Sequence, residues 1–183
     1  IHQTQLEAGH ADIAFTECLA PTARIHAGTV TVRHLFALFG VELKLVTLEL
    51  TGAQVRAVLE ESARYFKQAK PGQPPRTSTD PDYPFYNYYL AQGVTYDLDA
   101  SRPAGARIAN LRFQGQPLDP ARRFRVVTNI YLANGAAGYN MLAGAKVLWR
   151  SKQDLRELLV ERLRKLGKLP TEPTANWRLL PAP

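Results

Sequence analysis

Few side chains in this sequence are placed to do chemistry by themselves. Four histidines, His2, His10, His26 and His34, and one cysteine, Cys18, are scattered along the chain. None of the histidines belongs to an HExxH motif, and the sequence offers no self-contained zinc or dinuclear site. There is no G-x-S-x-G elbow, and no base is positioned by sequence to activate Cys18, which reads as an inert loop residue. One free cysteine also excludes an internal disulfide framework. What remains is a binding or scaffolding role. Asn134-Gly135-Ala136-Ala137-Gly138-Tyr139 is a small-residue loop that lets backbone approach a neighbour or a ligand closely. Neither a dinucleotide fingerprint nor a P-loop accompanies it. The aromatics Phe85, Tyr86, Tyr88 and Tyr89 form a cluster of the kind that builds cores and interfaces.

These residues need a scaffold, and hydrophobic periodicity predicts one. Asp12-Ile13-Ala14-Phe15-Thr16 reads as a short buried strand, and Thr31 caps a short helix that Gly40 ends. Alternation predicts further strands over 43–50, 93–99, 107–113 and 123–129. Thr51-Gly52-Ala53-Gln54 has capping-box spacing. From it, Val55, Val58, Leu59, Ser62 and Phe66 form the buried stripe of a helix predicted over 51–68. Ser151 to Asp154 resembles a second start, and Leu155, Leu158, Leu159, Leu163 and Leu166 carry a helix predicted over 151–167. Residues 71–84 read as an excursion loop. The proline-rich tail reads as a surface segment pinned by Trp177. The expected fold class is α+β, with a mixed β-sheet packed against amphipathic helices, in a single domain over 1–183.

Composition agrees. The chain has 183 residues, 45% hydrophobic and 21% charged, which fits one globular unit. Its net charge of +7 sits late in the sequence, where it reads as a solvated helix face and strand edges. Nucleic acid is not an expected partner, since no recognised binding motif accompanies the charge. No apolar run approaches the ~20 residues of a membrane-spanning helix, so no membrane is expected as a partner. The start at Ile1-His2-Gln3, without Met, reads as that of a processed product or excised fragment.

The order of segments resembles the C-terminal domain of the 5′-nucleotidase family, which includes 2′,3′-cyclic-nucleotide phosphodiesterase/3′-nucleotidases. Its clearest pieces are Ala11-Asp12-Ile13-Ala14-Phe15-Thr16, Gly28-Thr29-Val30-Thr31-Val32 and Leu48-Glu49-Leu50-Thr51-Gly52-Ala53-Gln54. Tyr86-Asn87 with Gly93-Val94-Thr95-Tyr96-Asp97-Leu98-Asp99 looks like the cyclic-phosphodiesterase branch. Arg125-Val126-Val127-Thr128-Asn129-Ile130-Tyr131-Leu132-Ala133-Asn134-Gly135 is similar to the family's most recognisable stretch. The resemblance implies that this chain grips a nucleoside or nucleotide and carries no cofactor. It also implies an N-terminal metallophosphoesterase domain in cis, holding two divalent metals and joined by a helix whose very end would be Ile1-His2-Gln3. A periplasmic or extracellular address is implied in the same way.

Carried over residue by residue, the resemblance places Tyr131 as the aromatic that stacks on the base, with Asn129, Asn134 and Gly135 around it. The second stacking aromatic falls at Val41, which is apolar but cannot stack. The family's Asn-Gly-Gly-Gly-Ile-Arg motif falls on Glu17-Cys18-Leu19-Ala20-Pro21-Thr22. Its arginine is thereby lost, and Arg24 is the candidate replacement. The acid that binds the ribose falls on Ala137, which forfeits charge-assisted hydrogen bonds worth ~1.5–3 kcal/mol. Two expectations follow. One is a recognition domain of a nucleotide phosphoesterase, not catalytic by itself. The alternative is a noncatalytic structural or interaction domain that kept the fold and lost nucleoside binding.

Overall fold

A computed structural model describes residues 1–70, 79–169 and 174–180. In chain order its main elements are α1 (His2–Gly9), β1 (Ile13–Glu17), α2 (Val32–Leu38), β2 (Lys44–Thr51), α3 (Gly52–Ser62), β3 (Tyr89–Gln92) and β4 (Val94–Asp99). There follow β5 (Ile108–Phe113), β6 (Gln116–Pro117), β7 (Arg123–Asn129), α4 (Ile130–Ala133), β8 (Lys146–Asp154), α5 (Leu155–Leu166) and β9 (Trp177–Leu180). The strands form a five-stranded sheet, β3-β1-β7-β2-β8, and a four-stranded sheet, β6-β5-β4-β9. The fold class is α+β, with mixed sheets and helices.

The larger sheet is covered on both faces. Ile13, Phe15, Leu48 and Val126 join Val55, Val58 and Leu59 of α3 and the apolar residues of β4 and β5 in one core cluster. Ala14, Leu45 and Val127 face the other way, onto Leu35 of α2, Phe39 just after it, and Leu155 and Leu159 of α5. This explains why all five residues of β1 are buried: a central strand with cover on both faces has no solvent side. β1 runs parallel to β7, while β2 and β3 run antiparallel to their neighbours. The carboxyl ends of β1 and β7 and the starts of β2 and β3 therefore share one rim, where Glu17 is opposite Tyr89 and Asn129 opposite Leu45.

The helix starts show how local sequence fixes these elements. At α3 the Thr51 hydroxyl accepts from Gln54 N at 3.2 Å, and Gln54 Oε1 accepts from Thr51 N at 2.9 Å, the reciprocal box that the sequence predicts. Gly52 is required there for a packing reason, since a Cβ would stand 2.1 Å from the Asp119 carbonyl oxygen. Thr31 forms a box with His34 at the start of α2.

Several boundaries differ from the sequence expectation. The α-helical part of α3 stops at Ser62, passes through a 3₁₀ turn at Ala63–Tyr65, and does not reach 68. The reason is that Phe66 turns extended and pairs with Thr79. The last helix starts at Leu155 rather than 151, because 151–154 complete β8 and Asp154 is the cap: its Oδ1 accepts from Glu157 N at 2.9 Å. The strand predicted from 93 begins at Val94, after Gly93, whose φ of 94° and contact with the Asp12 carbonyl leave no room for a side chain. Helix α1 and strands β3, β8 and β9 were not expected, and Trp177 belongs to β9. Most of the expected 71–84 loop, and Pro170, Pro173, Pro181 and Pro183 of the tail, lie outside the described residues.

Candidate functional site

The rim holds the densest set of polar groups drawn from the sequence candidates. Asn129 ends β7 and caps α4, its Oδ1 accepting from Leu132 N at 2.8 Å. The cap dictates which way the amide points, because a carbonyl oxygen must face that N–H. Asn129 Nδ2 consequently donates to Glu17 Oε1 at 2.7 Å and to the Tyr89 hydroxyl at 3.3 Å. With Asn129 only 2% exposed and both ends of its amide engaged, it positions α4. Tyr131 is the second residue of that one-turn helix, and its side chain is 47% exposed. A half-exposed aromatic ring thus stands on a backbone fixed from below by three buried polar side chains.

Glu17 was placed by the sequence only within a motif alignment. In the structure it is a buried carboxyl at the end of β1, and burial pushes its pKa up, against the opposing bonds from its own backbone N–H and then from Asn129. The Tyr89 phenol is also raised, by burial first and then by the Glu17 charge. An apolar strand ending in a charged residue is the one sequence signal that marks Glu17.

The other expected residues lie in the connections and the helix end next to these strands. Val41 is 55% exposed in the connection that leads into β2, and Arg24 is exposed in the connection that leaves β1. No hydrogen bond or ion pair engages Arg24 among the described residues. Asn134 is exposed at the end of α4, its N–H donating to Ile130 O at 3.1 Å. Gly135 has φ of 77°, which a glycine adopts without strain. The small-residue loop beyond it approaches a neighbour, α3: a Cβ on Gly138 would lie 2.7 Å from Glu61 Oε1. Tyr139, which closes the loop, is fully buried and donates to Asn87 O at 2.6 Å. Of the aromatic cluster, Tyr89 is core, while Phe85 and Tyr86 are exposed.

The enclosed space lies elsewhere. Two adjoining clefts, of about 450 and 980 Å³, share Ile25, Leu35, Leu163 and Leu169 between α2, α5 and the connection before α2. A polar recess of about 430 Å³ surrounds Asp97 and Arg178 on the smaller sheet. None of these three is lined by Glu17, Asn129 or Tyr131. Among the described residues no three His, Cys, Asp or Glu side chains converge to hold a metal. These residues do not fit a dinuclear centre. Part of the late positive charge is structural: Arg162 pairs with Glu7, Arg123 with Glu49 at 2.9 Å, and Arg156 lies 4.3 Å over the Phe36 ring.

Comparison with known proteins agrees with this architecture. The chain is 28% identical over 170 residues to a trifunctional nucleotide phosphoesterase of Bacillus subtilis, a match covering 86% of this chain and 12% of that protein. It is 29% identical to a 2′,3′-cyclic-nucleotide 2′-phosphodiesterase/3′-nucleotidase of Haemophilus influenzae, covering 86% of this chain and 26% of that one. The chain thus spans well under a third of the length of these relatives. Among solved structures, a chain from Staphylococcus aureus described as a 5′-nucleotidase superposes with a TM-score of 0.87 at 25% identity, over 97% of this chain and 35% of that one. The 5′-nucleotidase precursor of Thermus thermophilus shares the fold, with a TM-score of 0.78 at 22% identity, over 100% of this chain and 34% of that one. The family model for the 5′-nucleotidase C-terminal domain matches residues 1–144, and the chain belongs to that family.

Proposed function

We propose that residues 1–183 are the nucleoside-recognition domain of a larger metal-dependent phosphoesterase acting on nucleotide phosphate esters. The observation that carries this reading is Tyr131: its ring is half exposed while its backbone is held by the buried Asn129 cap. A core aromatic would be enclosed, and a surface aromatic with no role would not need such a mount. Tyr131 stacks on the base, and Asn134, Gly135, Arg24 and Val41 line the surrounding rim. The chemistry belongs to a metallophosphoesterase domain in the same protein, whose two divalent metals supply water activation. That domain closes over the open rim. A periplasmic or extracellular address goes with this reading, as does a soluble nucleotide substrate.

A second reading is favoured by Val41 and Ala137, which supply neither a second π-face nor a ribose-binding carboxylate. On it, the fold persists as a structural or interaction module. Titration of adenosine into the 183-residue chain separates the two. Saturable binding in the high-micromolar to millimolar range, worth ~4–5 kcal/mol, supports recognition. Absence of saturable binding up to the solubility limit of the nucleoside supports the structural module.

A further inference from the structure

We propose that the outer edge of β8 is a docking site for an acidic, extended polypeptide segment, which pairs with it as a sixth strand of the larger sheet. This is independent of the nucleoside-recognition reading. The two sheets end on four edge strands, and these are not alike. At β3, Ser62 Oγ accepts from Tyr89 N at 2.8 Å and donates to Tyr89 O at 2.7 Å, while Asn176 Nδ2 donates to Ala91 O at 2.7 Å. Side chains thus close alternate residues of that edge. β6 has two residues, one of them Pro117 with no N–H to offer, and β9 has four.

β8 runs for nine residues, about 30 Å of strand. Among the described residues its backbone over 146–152 bonds to β2, apart from Lys44 Nζ donating to Lys152 O at 2.6 Å. The pairing with β2 shifts register in two places, and at one of them Leu45 N donates to Ser151 Oγ at 2.8 Å in place of a backbone carbonyl. More of the β8 amide and carbonyl groups are therefore left for another partner than on a regular edge, where every second residue faces outward.

Charge selects that partner. Arg150 and Lys152 are exposed, and neither pairs with a carboxylate among the described residues. Lys146 shares Glu49 with Arg123, at 3.8 and 2.9 Å. Asp154, the one acid of the strand, is engaged by the α5 cap and by Arg156. Two copies joined edge to edge would set these cations against their own kind, and the register shifts oppose open-ended stacking. A strand with glutamate at alternate positions instead answers Arg150 and Lys152, while Val147, 41% exposed, offers an apolar contact to the residues between.

The test titrates the 183-residue chain with a blocked heptapeptide alternating glutamate and valine, read by ¹H–¹⁵N NMR at pH 7. Saturable shifts should centre on the amides of 146–152. Three changes should each weaken binding about tenfold or more: lysine in place of glutamate in the peptide, N-methylation of its three central residues, and Arg150→Glu combined with Lys152→Glu in the protein. Absence of saturation, or shifts confined to other elements, would overturn the assignment. So would equal binding of the lysine peptide, which removes the charge selection, or of the N-methylated peptide, which shows attraction without strand pairing. A dimer joined through β8 in sedimentation equilibrium would overturn it in favour of a second copy. The three peptides compared on the unaltered chain decide the matter even if the double variant does not fold.

Discussion

Truncating Tyr131 to alanine separates a ligand contact from ordinary packing. The ring is 47% exposed, so its removal forfeits about half of what a fully buried aromatic contributes. Enclosed aromatics cost ~3–5 kcal/mol on truncation, which scales here to about 1.5–2.5 kcal/mol at most. The cap from Asn129 to Leu132 N does not involve the ring and survives. Stacking on a base is worth ~1–3 kcal/mol, so Tyr131→Ala should weaken adenosine binding by about tenfold to a hundredfold. Tyr131→Phe keeps the π-face and should bind within about twofold of wild type. Calorimetric titration and urea unfolding on the same preparations read both quantities. A stability loss of more than about 3 kcal/mol with unaltered adenosine affinity would refute the stacking role, because it would make the ring part of the core.

Three further outcomes follow from the same geometry. Asn129→Ala removes a helix cap worth ~1 kcal/mol and strips Glu17 of its donor at a further ~1–3 kcal/mol, so urea unfolding should show a loss of about 2–4 kcal/mol; Asn134→Ala, at an exposed position, should stay within about 0.5 kcal/mol. Gly52→Ala should destabilise by about 1–3 kcal/mol despite alanine's better helix propensity, because its Cβ meets the Asp119 carbonyl oxygen; a gain in stability would contradict that packing. His2 is driven down to about 4, by burial first and then by the adjacent amino terminus, against its bond to Leu90 O. The unfolded chain therefore binds the extra proton between pH 6.5 and 4, and stability should be full above that window and fall by about 2–3 kcal/mol through it, with His2→Gln flattening this part of the profile.

How much of this was legible in the sequence depends on where each element's buried face gets its character. The apolar alternation of 43–50 and the Thr51-Gln54 box mark β2 and α3 directly, since both bury side chains of the expected kind. Helix α1 leaves no such mark: its buried residues are Thr4, Gln5 and Gly9, with Gly9 packed where a Cβ would stand 2.6 Å from Thr47 Oγ1 and Gln5 bonded to Thr16. Strand β8 borders the larger sheet with most of its side chains exposed or half exposed, so Lys146, Arg150 and Lys152 mask it, and its capping aspartate was read as part of a helix turn. Strand β3 has four residues, too few for a period. At the rim, Tyr131, Asn129 and Asn134 lie in one run of sequence and can be read together. Glu17 comes from 112 residues earlier and meets Asn129 only through the parallel pairing of β1 with β7, which no local pattern encodes.

The central claim is that nucleosides bind at this rim. Two-dimensional ¹H–¹⁵N NMR of the 183-residue chain during an adenosine titration tests it most directly. The account predicts saturable shifts at Glu17, at Asn129 through Gly135 and in the connections holding Arg24 and Val41, with the polar recess around Asp97 and Arg178 unmoved. Saturable shifts confined to that recess or to the cleft between α2 and α5, with Tyr131 and Glu17 unmoved, would contradict it.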